Sequence, residues 1–519
     1  MKIKHLIRTI LIVPSFLLAQ QNVLINSTFF PNEPSIAINP NNTNQLIAGS
    51  NTDNYHVSND GGLSWTTSRL QSNFGVWGDP AVIADNQNNF YFFHLSNEPP
   101  LFSAWIEEIV CQKTSNLGTT WTNGSSTGLD SPKKQDKEWA IFDKLSNNIY
   151  LAWTQFDRYG SPDPSDKSII RFAKSSDFGA TWSTPIKINS TDGDCVDISN
   201  TVEGAVPAVG PEGQVYLSWS GPAGIVFKKS VDQGMTWSTN ETSVSTIHQW
   251  DYAIPGLDRC NGMPVTVCDV APSSPHNGTI YINWSDQRNG VNDTDIFLSK
   301  STNQGTTWSA PIRVNNDVAG KHQFLNWMTI DQTTGYIYIV FYDRRNYSDN
   351  QTDVYLAYSI DGGTTFTNTK ISESPFTPVD SIFFGDYTNI TAHNGVVRPI
   401  WTRLQSGQLS VWTAIISQNS LANKEYDLDD KTDSPIANYP NPASRDEVSY
   451  FSFKLRVESP ITIKIYDLSG KEILTLIDNK IFGFGKHIEK MKSSLLPVGE
   501  YLYTIKSDYY TKSKKMIIK

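Results

Sequence analysis

Charge and sulfur are scarce in this chain. Of its 519 residues only 18% are Asp, Glu, Lys or Arg, and there are 4 cysteines and 6 methionines. Long solvent-facing helices draw on Glu, Lys and Arg, so this composition argues against a helical protein. No CxxC spacing is present, which removes the usual signature of a structural zinc site. HExxH, Walker and GxGxxG patterns are also missing, and with them the standard marks of zincins, P-loop enzymes and dinucleotide binders. After the first twenty residues no apolar run is long enough to span a bilayer, so no transmembrane segment is expected.

What is abundant points one way. Aromatics make up 12% of the chain, with 15 Trp and 22 Tyr, beside 33 Gly and 27 Pro. That mixture suits an all-β chain of many short strands joined by Gly, Pro, Asn and Asp turns, and it excludes disorder. At roughly 100–200 residues per domain, the length allows two to four domains. The net charge of −10 is unevenly spread. Lys2, Lys4 and Arg8 give +3 at the start and residues 437–519 carry +5, which leaves −18 for the body between them. A body that acidic repels phosphates, so no nucleic-acid partner is expected, and a cation or a neutral glycan is the easier ligand.

Residues 1–19 read as a secretory signal peptide, with a basic start before the apolar run from Ile10 to Ala19. In an exported chain cysteines default to disulfides. Cys260 and Cys268 enclose a short loop and are the expected bridge, which leaves Cys111 and Cys195 for a second.

An octet of the form S/T-x-D/N-x-G-x-x-W/F occurs six times, at 58–65, 114–121, 175–182, 230–237, 301–308 and 359–366. Its third positions are Asp60, Asn116, Asp177, Asp232, Asn303 and Asp361, and the successive spacings are 56, 61, 55, 71 and 58 residues. The side chains describe a hairpin turn: the Asp or Asn accepts backbone N–H bonds, the Gly takes positive φ, and the ring packs back between strands. The octet resembles the Asp-box, or bacterial neuraminidase repeat, of sialidase-like β-propellers. Two strands precede each box, and seven such units are present, beginning near Glu33, Asp79, Lys137, Glu203, Met263, Asn326 and Asp386. Four strands per unit with ring closure imply a seven-bladed propeller over residues 20–417. The seventh unit has three strands and no box, so residues 22–26 are expected to supply its outer edge by pairing with the strand near 408–416. Closure also removes an aggregation-prone edge.

Residues 418–436 are polar and read as a linker. From 437 to 519 the ordered elements Tyr439 to Pro442, Ile461 to Lys471, Gly485 to His487, Leu496 to Tyr501 and Lys514 to Ile517 describe a small Ig-like β-sandwich. This set resembles the C-terminal sorting domain of type IX secretion substrates. The resemblance implies the type IX machinery as a partner and a secreted or outer-membrane-surface location.

In a propeller the starts of the inner strands and the ends of the second strands converge on one mouth of the channel, opposite the boxes. Those positions hold Glu33, Asp79, Asp136, Glu138, Glu203, Asp386 and Tyr387, then Asp157, Arg158, Asp286, Arg288, Asp343, Arg344, Arg345 and Arg403. His94, His248 and His322 are further candidates, and Trp77, Trp139 and Trp327 offer faces for a sugar. Gathered acids make an acid/base pair, a nucleophile-and-acid pair or a cation site, while arginines bind a carboxylate bidentately. The sialidase resemblance implies Tyr387 with Glu203 as nucleophile and Asp79 as acid/base. It also implies Arg288, Arg344, Arg345 and Arg403 as a clamp, with Glu33 and Trp327 beside the substrate. Two departures stand against this: the first unit begins Glu33, Pro34, Ser35 instead of Arg-Ile-Pro, and there are seven units where sialidases have six. Three functions stay open: a glycoside hydrolase acting on acidic glycans, a non-catalytic propeller binding a glycan, glycoprotein or other protein, and a polysaccharide lyase using Tyr387 or His322 as base. So many acids need arginines, a bound Ca²⁺ or retained protons to coexist.

Overall fold

The computed structural model describes residues 21–97, 105–246, 249–418, 421, 436–455, 459–483, 485–507 and 511–519. The expected signal peptide, most of the linker and His248 lie outside the described residues. The chain divides into two compact units, Met1–Ile416 and Ser417–Lys519.

Seven four-stranded antiparallel sheets follow one another in the first unit. Blade 1 is Ser35–Asn39, Asn42–Ser50, Asn54–Ser58 and Thr66–Arg69, and blades 2 to 6 repeat the order. Blade 7 is Asn389–His393, Val396–Gln405 and Gln408–Ser417, with Gln21–Asn26 as its outer strand. The closing register runs from Gln21 opposite Ile415 to Asn26 opposite Val411. Asn22 fastens the closing strand further, donating to the Ile371 carbonyl at 2.7 Å and exchanging bonds with Glu373 at 2.8 Å. The two chain ends thus do the work of a hairpin, and the seventh blade closes without a box.

The second strands read as unbroken apolar runs because neighbouring blades cover both of their faces. Trp153, Trp219, Trp284 and Trp401 are each 1% exposed or less. The six boxes share one hydrogen-bond scheme. In the first, the Gly62 N–H donates to Ser58 Oγ at 2.9 Å, Ser58 Oγ donates to Asp60 Oδ1 at 2.9 Å, and the Ser64 N–H donates to Asp60 Oδ1 at 3.0 Å. The sixth repeats it through Ser359, Asp361, Gly363 and Thr365.

The boxes also join the blades. Each presents a turn carbonyl to a donor from the preceding blade. Lys174 Nζ reaches the Gln233 carbonyl at 3.2 Å, Lys229 Nζ that of Gln304 at 2.8 Å, and Lys300 Nζ that of Gly362 at 2.7 Å. Tyr55 Oη and Ser125 Oγ serve Gly118 and Gly179 in the same way. Blade 7 completes the circle through the buried Arg398, whose Nε donates to the Gly61 carbonyl at 2.6 Å. The box glycines seat against neighbouring rings: a Cβ on Gly305, at φ +74°, would lie 2.0 Å from Phe227. The boxes are therefore both turns and inter-blade staples.

The second unit is a two-sheet sandwich. One sheet is Ile436–Tyr439, Val448–Leu455 and Gly485–Lys492; the other orders Glu472–Phe482, Ser459–Tyr466, Gly499–Lys506 and Thr511–Ile518. Strand Ser459–Tyr466 alternates buried and half-buried side chains along its length, and Ile461, Ile463 and Ile465 meet Phe451, Tyr503 and Met516 in the core.

The expected Cys260–Cys268 bridge is corrected by the structure. All four cysteines are free and buried. Cys268 ends the inner strand Val265–Cys268 of blade 5 beside Asp269, whereas Cys260 sits at the other end of that segment, against Asn261. The second half of the segment, Val265–Cys268, is an inner strand, and the two thiols are not bonded to each other. Cys111, in the third strand of blade 2, and Cys195, beside Ser161, are also unbridged.

Candidate functional site

The inner strands enter the mouth through a repeated irregularity. In blades 2, 3, 4 and 6 the pairing slips between Gly78 and Ala81, Asp136 and Trp139, Glu203 and Val206, and Phe324 and Trp327. The first residue inside each bulge takes left-handed backbone: Asp79 at φ 53°, Lys137 at 51°, Gly204 at 75° and Leu325 at 48°, with Glu33 at 49° entering blade 1. Bulges re-aim a side chain at the cost of a ladder bond, and non-glycine residues occupy this region only when their surroundings hold them there.

In the first three blades that aim converges. Lys137 Nζ lies 3.0 Å from Asp79, 2.8 Å from Asp386, 3.8 Å from Glu33 and 4.0 Å from Asp136, and all five side chains are buried. Arg259 joins from outside the strands, with Nε 2.8 Å from Asp386 Oδ1, Nη2 2.5 Å from Asp386 Oδ2 and Nη1 3.6 Å from Asp197. Glu33 accepts the Asp386 N–H at 3.0 Å and a bond from the Asn51 amide.

Two cations serve seven carboxyls here, and the titration behaviour follows. Burial pushes Asp386 upward, but Lys137 and then Arg259 outweigh it and hold the group well below the usual carboxylate range. Burial is likewise outweighed at Asp79, chiefly by Lys137. Burial wins at Glu33, Asp136, Glu138 and Glu203, which are raised well above their ordinary values, with neighbouring acids adding to the effect. Neither carboxyl oxygen of Glu138 or Glu203 has a hydrogen-bond donor in the structure. At Glu203 the neighbouring charges that add to the rise are Asp197 and Asp136. Among the described residues no set of three or more His, Cys, Asp or Glu side chains is disposed to hold a metal ion. The positive charges within reach of these carboxyls are Lys137 and Arg259.

Below this knot the channel is floored by aromatic rings. Trp139 and Trp327 have centroids 4.1 Å apart, and Tyr387 stands edge-on to Trp139 at 5.0 Å. The remaining cavity, between Lys137, Val206, Met263 and these rings, is about 20 Å³, room for roughly one water. The Tyr387 hydroxyl is buried without a partner, and burial raises it far above its ordinary value.

The sequence candidates therefore separate. Glu33, Asp79, Asp136 and Asp386 come together in the knot; Glu138 and Glu203 border it, and Tyr387 and Trp327 lie in the floor. Tyr387 and Glu203 share no hydrogen bond, and the acids that act on the phenol are Asp79, Glu33 and Glu138. The arginines are engaged by other groups of the protein. Arg288 pairs with Asp286 and bonds Ser245 at 3.0 Å. Arg344 bonds Thr352 and, at 2.6 Å, the Pro255 carbonyl. Arg345 pairs with Asp343 at 2.6 Å, and Arg403 bonds Ser374 at 2.8 Å. Trp77 is exposed on the rim, edge-on to Trp105. Burial lowers both His94 and His322 to about 4; His94 sits between Leu95 and Gln112, and His322 against Thr294.

The residues missed were Lys137 and Arg259. Lys137 lies between Asp136 and Glu138 in the sequence. Arg259 lies in the connection that stretches one box spacing to 71 residues, the one irregularity of the repeat. That connection caps the mouth. Trp250 Nε1 donates to the Thr201 carbonyl at 3.0 Å, and Tyr252 Oη meets Ser285 Oγ at 2.6 Å.

Residues 437–519 match the family described as "Secretion system C-terminal sorting domain". The chain thus ends in a type IX address that sends it to the cell surface or the medium. No helix among the described residues is long and apolar enough to cross a membrane. No curated protein matches the chain. Among solved structures it is similar to Hadza microbial sialidase Hz136, at 14% identity and TM-score 0.41 over 72% of this chain and 73% of that one. It is similar to a protein of unknown function from Dyadobacter fermentans, at 12% identity and TM-score 0.43 over 76% and 97%. The NanB sialidase of Streptococcus pneumoniae follows at 9% identity and TM-score 0.43 over 65% and 68%.

Proposed function

We propose that this exported propeller is a recognition module whose mouth face binds a neutral or cationic partner, glycan or protein, at or outside the cell surface. The observation that carries the reading is the state of the groups a hydrolase of acidic glycans needs. Each of the four arginines expected to clamp a carboxylate is already bonded to groups of the protein itself. The phenol expected to attack is sealed beneath Lys137 and two indoles. The formal charge of −18 on the body of the chain also disfavours an acidic sugar, whereas it attracts a cation. The exo-sialidase-like alternative, with Tyr387 and Glu203 as nucleophile pair and Asp79 as acid, requires the floor to open and Arg344 to leave the Pro255 carbonyl.

The test is a panel of neutral, amino-bearing and sialylated glycans and of cell-surface proteins, scored for binding to the full chain and to Trp77→Ala. Retention of neutral or cationic members, weakened by the rim variant, is expected. Preferential retention of sialylated members would contradict the reading.

A further inference from the structure

Arg259 is held as a ligand is held. Its guanidinium forks onto Asp386 through two bonds, of 2.8 and 2.5 Å. It lies 3.6 Å from a second carboxylate, Asp197, and 4.9 Å from the centre of the Phe383 ring. A two-pronged carboxylate, a flanking acid and an aromatic face are what a guanidinium selects over an ammonium. Asn261 shapes the same seat from the side, donating to the Asp386 carbonyl at 2.8 Å. Behind Asp197 stands Glu203, fully buried, with no donor on either carboxyl oxygen.

The segment that carries Arg259 does not depend on it for its place. Trp250, Tyr252, Ile254, Leu257 and Cys260 are all buried, and the Pro255 carbonyl is pinned by Arg344. The Arg259 side chain, by contrast, is 42% exposed. A rotation of that one side chain uncovers Asp386 while the cap backbone stays anchored.

We propose that Asp386, Asp197 and Phe383 form a binding site for an arginine side chain of a partner polypeptide, and that Arg259 fills it as an internal stand-in which the partner displaces. The inference rests on the reading of the propeller as a recognition module and names its partner chemistry. Exchange of one guanidinium for another leaves the charge balance of the knot unchanged, so Lys137 and its carboxylates need not rearrange. The resident arginine competes at the high effective concentration of a tethered group, which lowers the apparent affinity of any incoming chain.

Removing the competitor is the test. A fluorescent Gly/Ser peptide with a single arginine is titrated into the full chain and into Arg259→Gln at low salt, beside the same peptide carrying lysine or citrulline. Arg259→Gln is expected to bind the arginine peptide at least about tenfold tighter than the wild type does, with lysine weaker and the neutral citrulline weakest. Asp197→Asn, at the edge of the seat, is expected to reverse much of that gain, and its folding is checked by circular dichroism beside Asp386→Asn. Equal binding of the citrulline peptide, or no gain in Arg259→Gln, overturns the proposal. A protein that retains glycans from the panel yet ignores every arginine peptide leaves the recognition reading standing and ends this inference. Turnover of a sialoside ends both.

Discussion

The two faces of the propeller solve opposite problems. On the box face six turns repeat one hydrogen-bond scheme, and each offers a carbonyl that the preceding blade satisfies. Exposed aspartates there accept several N–H and O–H bonds, and those bonds hold Asp232 down at about 2. On the mouth face no such period survives. Equivalent positions carry Glu33, Asp79, Lys137, Gly204 and Leu325, and buried carboxyls at Glu138 and Glu203 lack donors. Stability is distributed among repeats on one face and concentrated in one lysine on the other. Local satisfaction marks a scaffold, whereas buried polar groups left unsatisfied mark the place where a protein's stability and its function diverge.

The largest effect expected from that contrast is at Lys137. Lys137→Met leaves Asp79 and Asp386 buried with only Arg259 nearby, and breaking a buried pair in this way costs about 3–5 kcal/mol. Lys300→Met removes one staple of a ring, its bonds to the Gly362 carbonyl and Thr364 Oγ1, and is expected to cost about 1–2 kcal/mol. Urea unfolding of the two variants measures both, and equal losses would break the contrast.

A third effect has the opposite sign. The Glu203 carboxyl is raised above its ordinary 4.5 by burial first and by Asp197 and Asp136 next. A raised acid contributes fully below its unfolded value, and that contribution is lost as pH rises toward the folded one. Glu203→Gln is therefore expected to match the wild type in thermal stability near pH 4 and to exceed it as pH rises above that. A variant less stable than the wild type at pH 8 would show that Glu203 is ionised and needed as a charge.

The box face was legible in the sequence because its turn demands particular side chains: a short acceptor, a glycine at positive φ and a ring. Closure by residues 22–26 followed from a missing box and a spare strand. The sandwich followed from alternation, clearest in Ser459–Tyr466. The mouth was legible only as a list of acids, arginines and aromatic rings. Position along a strand does not reveal that a bulge turns Lys137 onto Asp79, or that Arg259 arrives from a connection with no strand pattern of its own. Trp139, Trp327 and Tyr387 read as a platform and a nucleophile, yet the convergence of seven inner strands packs them together as the channel floor. The free cysteines teach the same lesson, because the segment after Cys260 leads into the inner strand Val265–Cys268 where a bridged loop was expected.

The most direct test of the mouth as a recognition face is the release of free sialic acid from sialyllactose by the full chain, measured beside Tyr387→Phe. The account predicts that neither protein releases sialic acid above the blank. Release by the wild type that Tyr387→Phe abolishes would contradict it and return Tyr387 to the role of nucleophile.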